Sequence, residues 1–462
     1  MQKYIQAVKS PRRKVMLQSF GQGMHAGIDK RVLPVNIAKE IFNFDFSTGA
    51  LTQGFGLTGV PYVRRKISNI WTYKRYDIDK KLDEEILMYA DADGYVYYLR
   101  HEQEHKLGDI KFTSTPAAVN YRLFGDDVIL LTSSSDYMVV WDAKSPPYAV
   151  ENSPHITSMT IHFERMFCTV GGERNAVWFS QDLDPTNWDL ELDRGGFIQV
   201  LDERGKLNKV ISYLNFVYIL RDFGISRVSA FADQVDFSVS NLFVSSGHIY
   251  SSTATLCGDR ILFLASDGLY QFDGLITSRI MTQIDTIIAP SPNSIAHFHN
   301  GKYYLSCHID ENEATVGVLE QCDNNAVLVY DLHSGSFSIL KGACVRAFSK
   351  RGELLYAVTS EGALAVIEQT GELFGEPTIK SWSSGFLDFG SEQVKHVREV
   401  YLSSDMPLEL KIYSERNEKT FNIVPVDEVT RIRVNLSGRK IGITIKCKTS
   451  RARISRPTIV FT

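Results

Sequence analysis

A short hairpin recurs along this chain: an apolar strand, a turn built from Asp or Ser with Gly, and a second apolar strand. It occurs at 86–99, where Asp93-Gly94 forms the turn, and again at 127–141, 260–272, 326–337 and 354–366. Several copies stand about 40–50 residues apart, the repeat length of a propeller blade. A blade cannot bury both of its faces alone, so blades stack in a ring. The repeat therefore predicts an all-β chain containing a β-propeller of about six or seven blades.

Composition agrees with a folded β protein. The 26 Phe and 21 Tyr suit half-buried pleated surfaces, and 44% hydrophobic with 23% charged residues is typical of a globular chain. The formal net charge is −4, whereas a general nucleic-acid binder usually has a basic excess. Any contact with DNA is therefore expected to be local and without sequence readout.

The pattern changes after about Gly375, where successive strands alternate apolar with polar residues at a period of two. We expect an N-terminal arm over residues 1–34, a β-propeller over 35–374 and a C-terminal β-sandwich or barrel domain over 375–462. Since no run of about 18 apolar residues occurs, no membrane span is expected.

Basic residues crowd the last strands. Isolated surface cations are usually only solvated, but a cluster can also dock an acidic protein surface. We predict such a docking face from Arg431, Arg433, Arg439, Lys440, Arg451, Arg453 and Arg456.

Signatures of catalysis are missing from the sequence. It contains no GxGxxG, GxxxxGK[ST], GxSxG or HExxH motif. His297, His299 and His308 could suggest zinc, but no acidic or Cys ligand stands at a defined spacing from them. We predict no catalytic residues, no metal, no cofactor and no enzymatic activity. One alternative stays open, because the stretch Ala176–Trp188 is similar to the Asp-box of sialidases without its glycine.

The stretch Trp178-Phe-Ser-x-x-Leu-Asp-Pro-Thr-x-Trp188 resembles a sequence motif of bacteriophage tail proteins. The order of later segments, 245–253, 263–274, 394–398 and 431–439, is also similar. Together they resemble the tail nozzle and packaged-DNA stabilisation (tail hub) proteins of short-tailed phages, which are propeller-based. The similarity spans about residue 35 to the C-terminus, and it brings no active site with it.

The resemblance implies a structural virion protein. It would be a ring homo-oligomer, with a hexamer as one option, that continues the DNA channel from the portal or adaptor ring. It would retain packaged DNA until ejection and anchor tail fibres or tail-tip proteins. Its location would be the virion tail, assembled in the host bacterial cytoplasm. Alternatives are a cellular propeller acting as an interaction scaffold or glycan-binding lectin and, less favoured, a sialidase-like glycosidase.

Overall fold

The computed structural model describes residues 11–17, 20, 23–34, 37–77, 81–191, 194–231, 234–310, 323–425, 427–455 and 457–462. These residues form strands and turns with two 3-10 segments, Gln234–Asp236 and Asp285–Ile287, and the all-β prediction is confirmed. The chain divides into two compact units. The propeller unit comprises Gly59–Ser334 and Ala343–Ile367, and the sandwich unit comprises Met1–Thr58, Gly335–Gly342 and Glu368–Thr462. The domain boundaries after residues 34 and 374 remain predictions.

The described residues of the propeller unit form seven blades, each an antiparallel meander. Blades 1 to 5 have four strands, and this unit supplies the first three strands of blades 6 and 7. In chain order the strands are as follows: blade 1, Ile67–Asp77, Leu82–Asp91, Tyr95–Arg100 and Gln103–Lys111; blade 2, Ala117–Leu123, Asp126–Thr132, Met138–Trp141 and Tyr148–Val150; blade 3, Ile156–His162, Arg165–Val170, Ala176–Phe179 and Gly196–Gln199; blade 4, Leu207–Tyr213, Phe216–Arg221, Gly224–Ser229 and Ser238–Val244; blade 5, Ile249–Leu256, Ile261–Ala265, Gly268–Phe272 and Thr277–Ile280; blade 6, Ile295–His299, Lys302–Ile309 and Ala326–Asp331; blade 7, Val345–Arg351, Leu354–Thr359 and Leu364–Glu368. A short strand, Ile288–Ala289, also pairs with Lys302–Ile309.

The first strands of successive blades contact one another around a closed ring. Blade 7 closes onto blade 1, where the hydroxyls of Thr72 and Ser349 lie 2.9 Å apart. Apolar clusters fill the spaces between blades, and one of them joins Ile70 and Leu87 of blade 1 to Tyr356 and Val358 of blade 7. The blade count is therefore seven, at the upper end of the prediction.

The second and third strands of a blade are buried on both faces and consequently read as continuous apolar runs. Their turns need a left-handed backbone, as at Gly94, whose φ is +90°. A Cβ at Gly94 would lie 2.0 Å from the Phe112 carbonyl oxygen, so only glycine fits there.

The sandwich unit consists of two main sheets whose inward-facing residues are buried. In the four-stranded sheet, Thr430–Gly438 alternates exposed and buried residues, as a strand with one solvated face does. The segment expected as an arm supplies the strand Arg13–Met16 to this sheet. The four-stranded sheet has the order Arg13–Met16, Thr458–Phe461, Lys395–Leu402, Thr430–Gly438, and the five-stranded sheet the order Ala38–Phe42, Ile379–Ser384, Ile441–Lys448, Leu408–Ser414, Glu418–Ile423.

Shorter strands complete this unit. Phe44–Asp45, Leu51–Gln53 and Arg453–Ile454 form a small sheet, and Glu372–Leu373 pairs with Glu376–Pro377. Gly56–Gly59 and Phe337–Lys341 are also strands.

Candidate functional site

One end of the propeller carries the first turn of every blade. The backbone nitrogens of Val210 and Ser212 in blade 4 donate to Ser158 Oγ (3.2 Å) and Thr160 Oγ1 (3.1 Å) in blade 3, so the two first strands run in the same direction. Since each blade is an antiparallel meander, the first turn and the loop between its third and fourth strands lie at the same end. We call this end the first-turn end.

Three consecutive blades place a large apolar residue at the tip of the first turn. Phe124, Phe163 and Leu214 have φ values of 50°, 46° and 52°. This left-handed region favours Gly and Asn, and blade 6 has Asn300 at the same position. Phe124 is nevertheless 81% exposed and Leu214 64% exposed. At Phe124 and Leu214 a bulky apolar tip in a strained conformation gains little burial in the folded monomer, whereas Phe163 is about half-buried against Phe231.

The loops between the third and fourth strands add further apolar side chains at this end. Leu275 and Val235 are each 72% exposed. Together with the turn tips they form what we call the apolar rim, which runs over blades 2 to 5: Phe124, Phe163, Leu183, Leu190, Leu214, Phe231, Val235, Leu275 and Ile276.

Contacts between neighbouring blades make the rim continuous. The Tyr121 hydroxyl of blade 2 donates to the Glu164 carbonyl of blade 3 (2.7 Å). The Gln234 amide of blade 4 donates to the Glu191 carbonyl of blade 3 (3.4 Å), and the Tyr213 hydroxyl of blade 4 donates to the Asp259 carbonyl of blade 5. The rim is therefore a linked surface.

A recess of about 210 Å³ opens in the rim between blades 3 and 4, with Phe163 and Phe231 among its lining residues. Arg165 is fixed by donating to the carbonyls of Ser180 (2.9 Å) and Arg194 (3.0 Å). His162 is 3% exposed, and burial lowers its pKa, so the ring is neutral at pH 7. Its Nδ1 lies 2.9 Å from the Ser212 Oγ. Aromatic rings line the recess together with the charged side chains of Arg165 and Asp182, which suits a partner side chain with an apolar body and a polar end.

Carboxylates outnumber cations at this end. Lys144, Arg194 and Arg260 are already paired with Asp126 (2.7 Å), Asp189 (2.9 Å) and Asp259 (2.8 Å). Exposed carboxylates of the same turns and loops are Asp126, Glu164, Asp182, Asp189, Glu191, Asp236, Asp259 and Asp273. The rim is therefore apolar and acidic, a combination that suits a partner with apolar and basic groups.

The predicted cationic residues lie at three places in the sandwich unit. Arg431 and Arg433 share the solvent face of Thr430–Gly438. Arg431 Nη2 pairs with Glu399 Oε1, and the Tyr401 hydroxyl donates to the other oxygen of Glu399 at 2.9 Å. Glu399 accordingly has a lowered pKa, mainly through the hydrogen bond from Arg431.

The remaining cations are held through their backbones. The nitrogens of Arg439 and Lys440 donate to the Glu415 carboxylate (3.2 and 2.6 Å), which fixes the turn after Thr430–Gly438. Arg451 and Arg453 are exposed and lie at the small third sheet, so they do not share the strand of Arg431. Arg456 lies outside the described residues.

The segment around Asp184, which carries the motif Trp178–Trp188, forms a hairpin with a structural role. Asp184 Oδ1 accepts from the Thr186 nitrogen (3.0 Å) and hydroxyl (2.5 Å), which closes the turn. Trp188 is 4% exposed and packs in the apolar cluster between blades 2 and 3. This anchoring leaves Leu183 exposed on the rim.

Neither a histidine-based metal site nor a membrane-spanning helix is present among the described residues. His299 Nε2 lies 2.9 Å from the Glu353 carbonyl oxygen, and no three His, Cys, Asp or Glu side chains of the described chain are grouped to hold a metal ion. No helix in this part of the chain is long and apolar enough to cross a membrane.

Sequence reasoning missed the rim. Its signal was nevertheless present, because Leu123-Phe124-Gly125-Asp126 sets an aromatic residue where a two-residue hairpin turn favours Asn.

The closed ring of seven blades defines a β-propeller protein. No family model and no curated protein matches the sequence. Similar solved structures include the computationally designed Ika8 protein (11% identity, TM-score 0.41, covering 68% of this chain and 99% of that chain). Others are BBS1N in complex with ARL6DN (11%, 0.43, 67% and 96%) and Raptor of Chaetomium thermophilum (9%, 0.46, 69% and 28%). At these TM-scores the likenesses carry no argument, and the class rests on the blades themselves.

Proposed function

We propose that this chain is a non-catalytic structural protein, a ring-forming subunit of the tail nozzle of a short-tailed phage. In that role copies pack side by side around a DNA channel below the portal or adaptor ring and hold tail fibres. The propeller supplies the rigid body of each subunit. The apolar rim is the observation that supports a role in assembly.

The rim is costly for an isolated molecule. A bulky residue in the left-handed region costs on the order of 1 kcal/mol, whereas Asn or Gly at Phe124, Phe163 and Leu214 would avoid most of that cost. Each exposed side chain also keeps apolar surface in water, at roughly 25 cal/mol per Å². Both costs are offset if a partner covers the rim, and contiguous exposed apolar patches mark such interfaces.

Two further features support the finer proposal. The motif Trp178–Trp188, which resembles phage tail proteins, forms one of the loops of the rim. The net charge of −4 avoids the dense phosphate contacts that would arrest sliding DNA.

Mass photometry and negative-stain electron microscopy of the purified full chain test the proposal. We expect closed rings with a central channel that form above a threshold protein concentration. Antibody against the chain should then label the tails of purified phage particles. A chain that stays monomeric at all concentrations, or phage tails without label, would contradict the proposal. Turnover of a fluorogenic glycoside would favour the glycosidase alternative instead.

A further inference from the structure

We infer that the apolar rim of one copy binds the outer face of the four-stranded sheet of a second copy. This inference rests on the proposed ring, and it names the contact that builds the ring. The partner is identified by charge: the rim is apolar and acidic, and the sheet face presents cations beside an exposed methionine.

The sheet face is ordered by strand register. Lys14, Val460, Glu399 and Arg433 stand side by side across the four strands. The next row consists of Met16, Thr458, Tyr401 and Arg431. Cations therefore stand on both outer strands of the sheet. We call these two rows the cationic face.

Two of the four charges on the cationic face, those of Lys14 and Arg433, are not neutralised by a described residue. Glu399, its one carboxylate, is paired with Arg431, while Lys14 and Arg433 make no ion pair with a described residue. Met16 is 54% exposed and adds apolar surface. On the rim, Glu164, Asp182 and Asp236 have no described cationic partner. The rim also presents Arg122, whose Nε donates to the Gly125 carbonyl at 3.3 Å, but its unpaired charge is mainly negative, whereas that of the cationic face is positive.

The two surfaces suit different parts of one contact. The tips Phe124, Phe163 and Leu214 can bury apolar area, which gives affinity, and the charges can set orientation and association rate. A contact between two different patches of one chain is heterologous, and it closes into a ring when its rotation permits. The same two patches, present on every copy, therefore suffice to build a closed ring.

Two full-length variants test the inference. The rim variant is Phe124→Asn/Phe163→Asn/Leu214→Asn with Glu164→Lys. The face variant is Lys14→Ser/Met16→Ser/Arg433→Ser. Matched controls are Leu201→Ser, an exposed apolar change at the opposite end of the propeller, and Lys446→Ser/Lys448→Ser on the five-stranded sheet. Thermal unfolding verifies that every variant is folded.

Mass photometry at about 0.15 M salt, where contacting charge pairs survive screening, gives the readout. Each variant alone should need at least tenfold more protein to assemble, whereas the controls should assemble like the parent chain. A mixture of the two variants should give 1:1 dimers and no rings, because each retains the patch that the other has lost. Rings formed by either variant alone at the parent chain's threshold concentration, or an unreactive mixture, would overturn the inference and leave the rim to another partner, with the ring itself intact. A parent chain that never assembles would overturn the proposed ring as well.

Discussion

Phe163 and Phe231 come from different blades, yet their ring centroids lie 5.2 Å apart at the mouth of the recess. Each ring is about half exposed. Aromatic pairs of this geometry contribute roughly 0.5–1.5 kcal/mol beyond their buried area. The pair is therefore fixed before any partner arrives, as an anchor of a preorganised interface should be.

The turn tips should be exchangeable without loss of fold. Replacing Phe124 or Leu214 with Asn should leave the free energy of unfolding unchanged or raise it by about 0.5–1 kcal/mol, because Asn tolerates the left-handed backbone better. Phe163→Asn also removes the ring pair with Phe231, so it should lower the free energy of unfolding by up to about 1 kcal/mol. Urea unfolding at concentrations below assembly measures this.

Asn300→Phe is the matched control, since blade 6 already has Asn at this position. It should destabilise the chain by about 1 kcal/mol and create no new assembly. A large loss of stability in the three Asn variants would instead assign the tips a role in folding.

Arg221 of blade 4 is fully buried and forms an ion pair with Asp202, whose side chain is 21% exposed and lies in the loop before this blade. No part of Arg221 is exposed; its Nη1 lies 2.5 Å from Asp202 Oδ1, and its Nη2 donates to the Gly205 carbonyl at 2.9 Å. Burial alone would raise the pKa of Asp202, but hydrogen bonds from Arg221 and the Arg204 nitrogen, with their charges, hold it at about 2. The folded carboxylate is thus favoured over its acid form.

This pair should contribute to acid sensitivity. The folded pKa of Asp202 lies below its unfolded value of about 3.9, so its stabilisation is present above pH 4 and is lost as the pH falls from about 4 to about 2. Asp202→Asn should cost about 3–5 kcal/mol at pH 7, because it leaves a buried guanidinium uncompensated. Urea unfolding between pH 7 and 3 should show a weaker pH dependence in the variant.

Asp126→Asn is the control for this prediction, because Asp126 and Lys144 form an exposed pair. Its effect at pH 7 should lie within about 1 kcal/mol. Equal losses of stability in both variants would show that the ion pair of the buried Arg221 is no more stabilising than an exposed pair.

Trp188 should be structural. Trp188→Ala opens a cavity between blades 2 and 3 and should cost about 3–5 kcal/mol, as measured by thermal or urea unfolding. Leu183→Ala, in the same loop but 55% exposed, should change stability by less than about 0.5 kcal/mol in the monomer. A stable Trp188→Ala variant would mean that the hairpin does not depend on this anchor.

The exposed arginines near the third sheet should be dispensable for folding. Arg451→Ser/Arg453→Ser removes side chains that make no ion pair with a described residue, and isolated surface charges contribute roughly 0–1 kcal/mol. The melting temperature should stay within about 4 °C of the parent value. If these residues dock an acidic protein surface, ring assembly at 0.15 M salt should also become weaker. Unchanged assembly would mean that these arginines take no part in docking, and an unfolded variant would mean that they are required for folding.

The sequence by itself determined the β class, the blade repeat and many of the hairpins. The predicted hairpin at 86–99 corresponds to Leu82–Asp91 and Tyr95–Arg100, because central strands buried on both faces must be apolar and their turn needs Gly94. The first strand of each blade was harder to predict from the sequence. Ala117–Leu123 and Ile156–His162 carry polar residues such as Asn120 and Ser158, which bond to neighbouring blades rather than to an apolar core.

Only the tertiary structure decided which residues share a surface. Phe124, Phe163, Leu214 and Leu275 are separated by about 40–60 residues, roughly one blade repeat, and each alone is an ordinary exposed residue. Phe124, Phe163 and Leu214 come together because first strands run in one direction around a closed ring, so equivalent turns fall at one end. Leu275 joins them from the loop between the third and fourth strands of blade 5, which lies at the same end. Lys14 and Arg433 meet on one sheet only through the register of Arg13–Met16 with Thr458–Phe461. Strand pairing over such sequence distances depends on burial of the whole sheet, which no local pattern records.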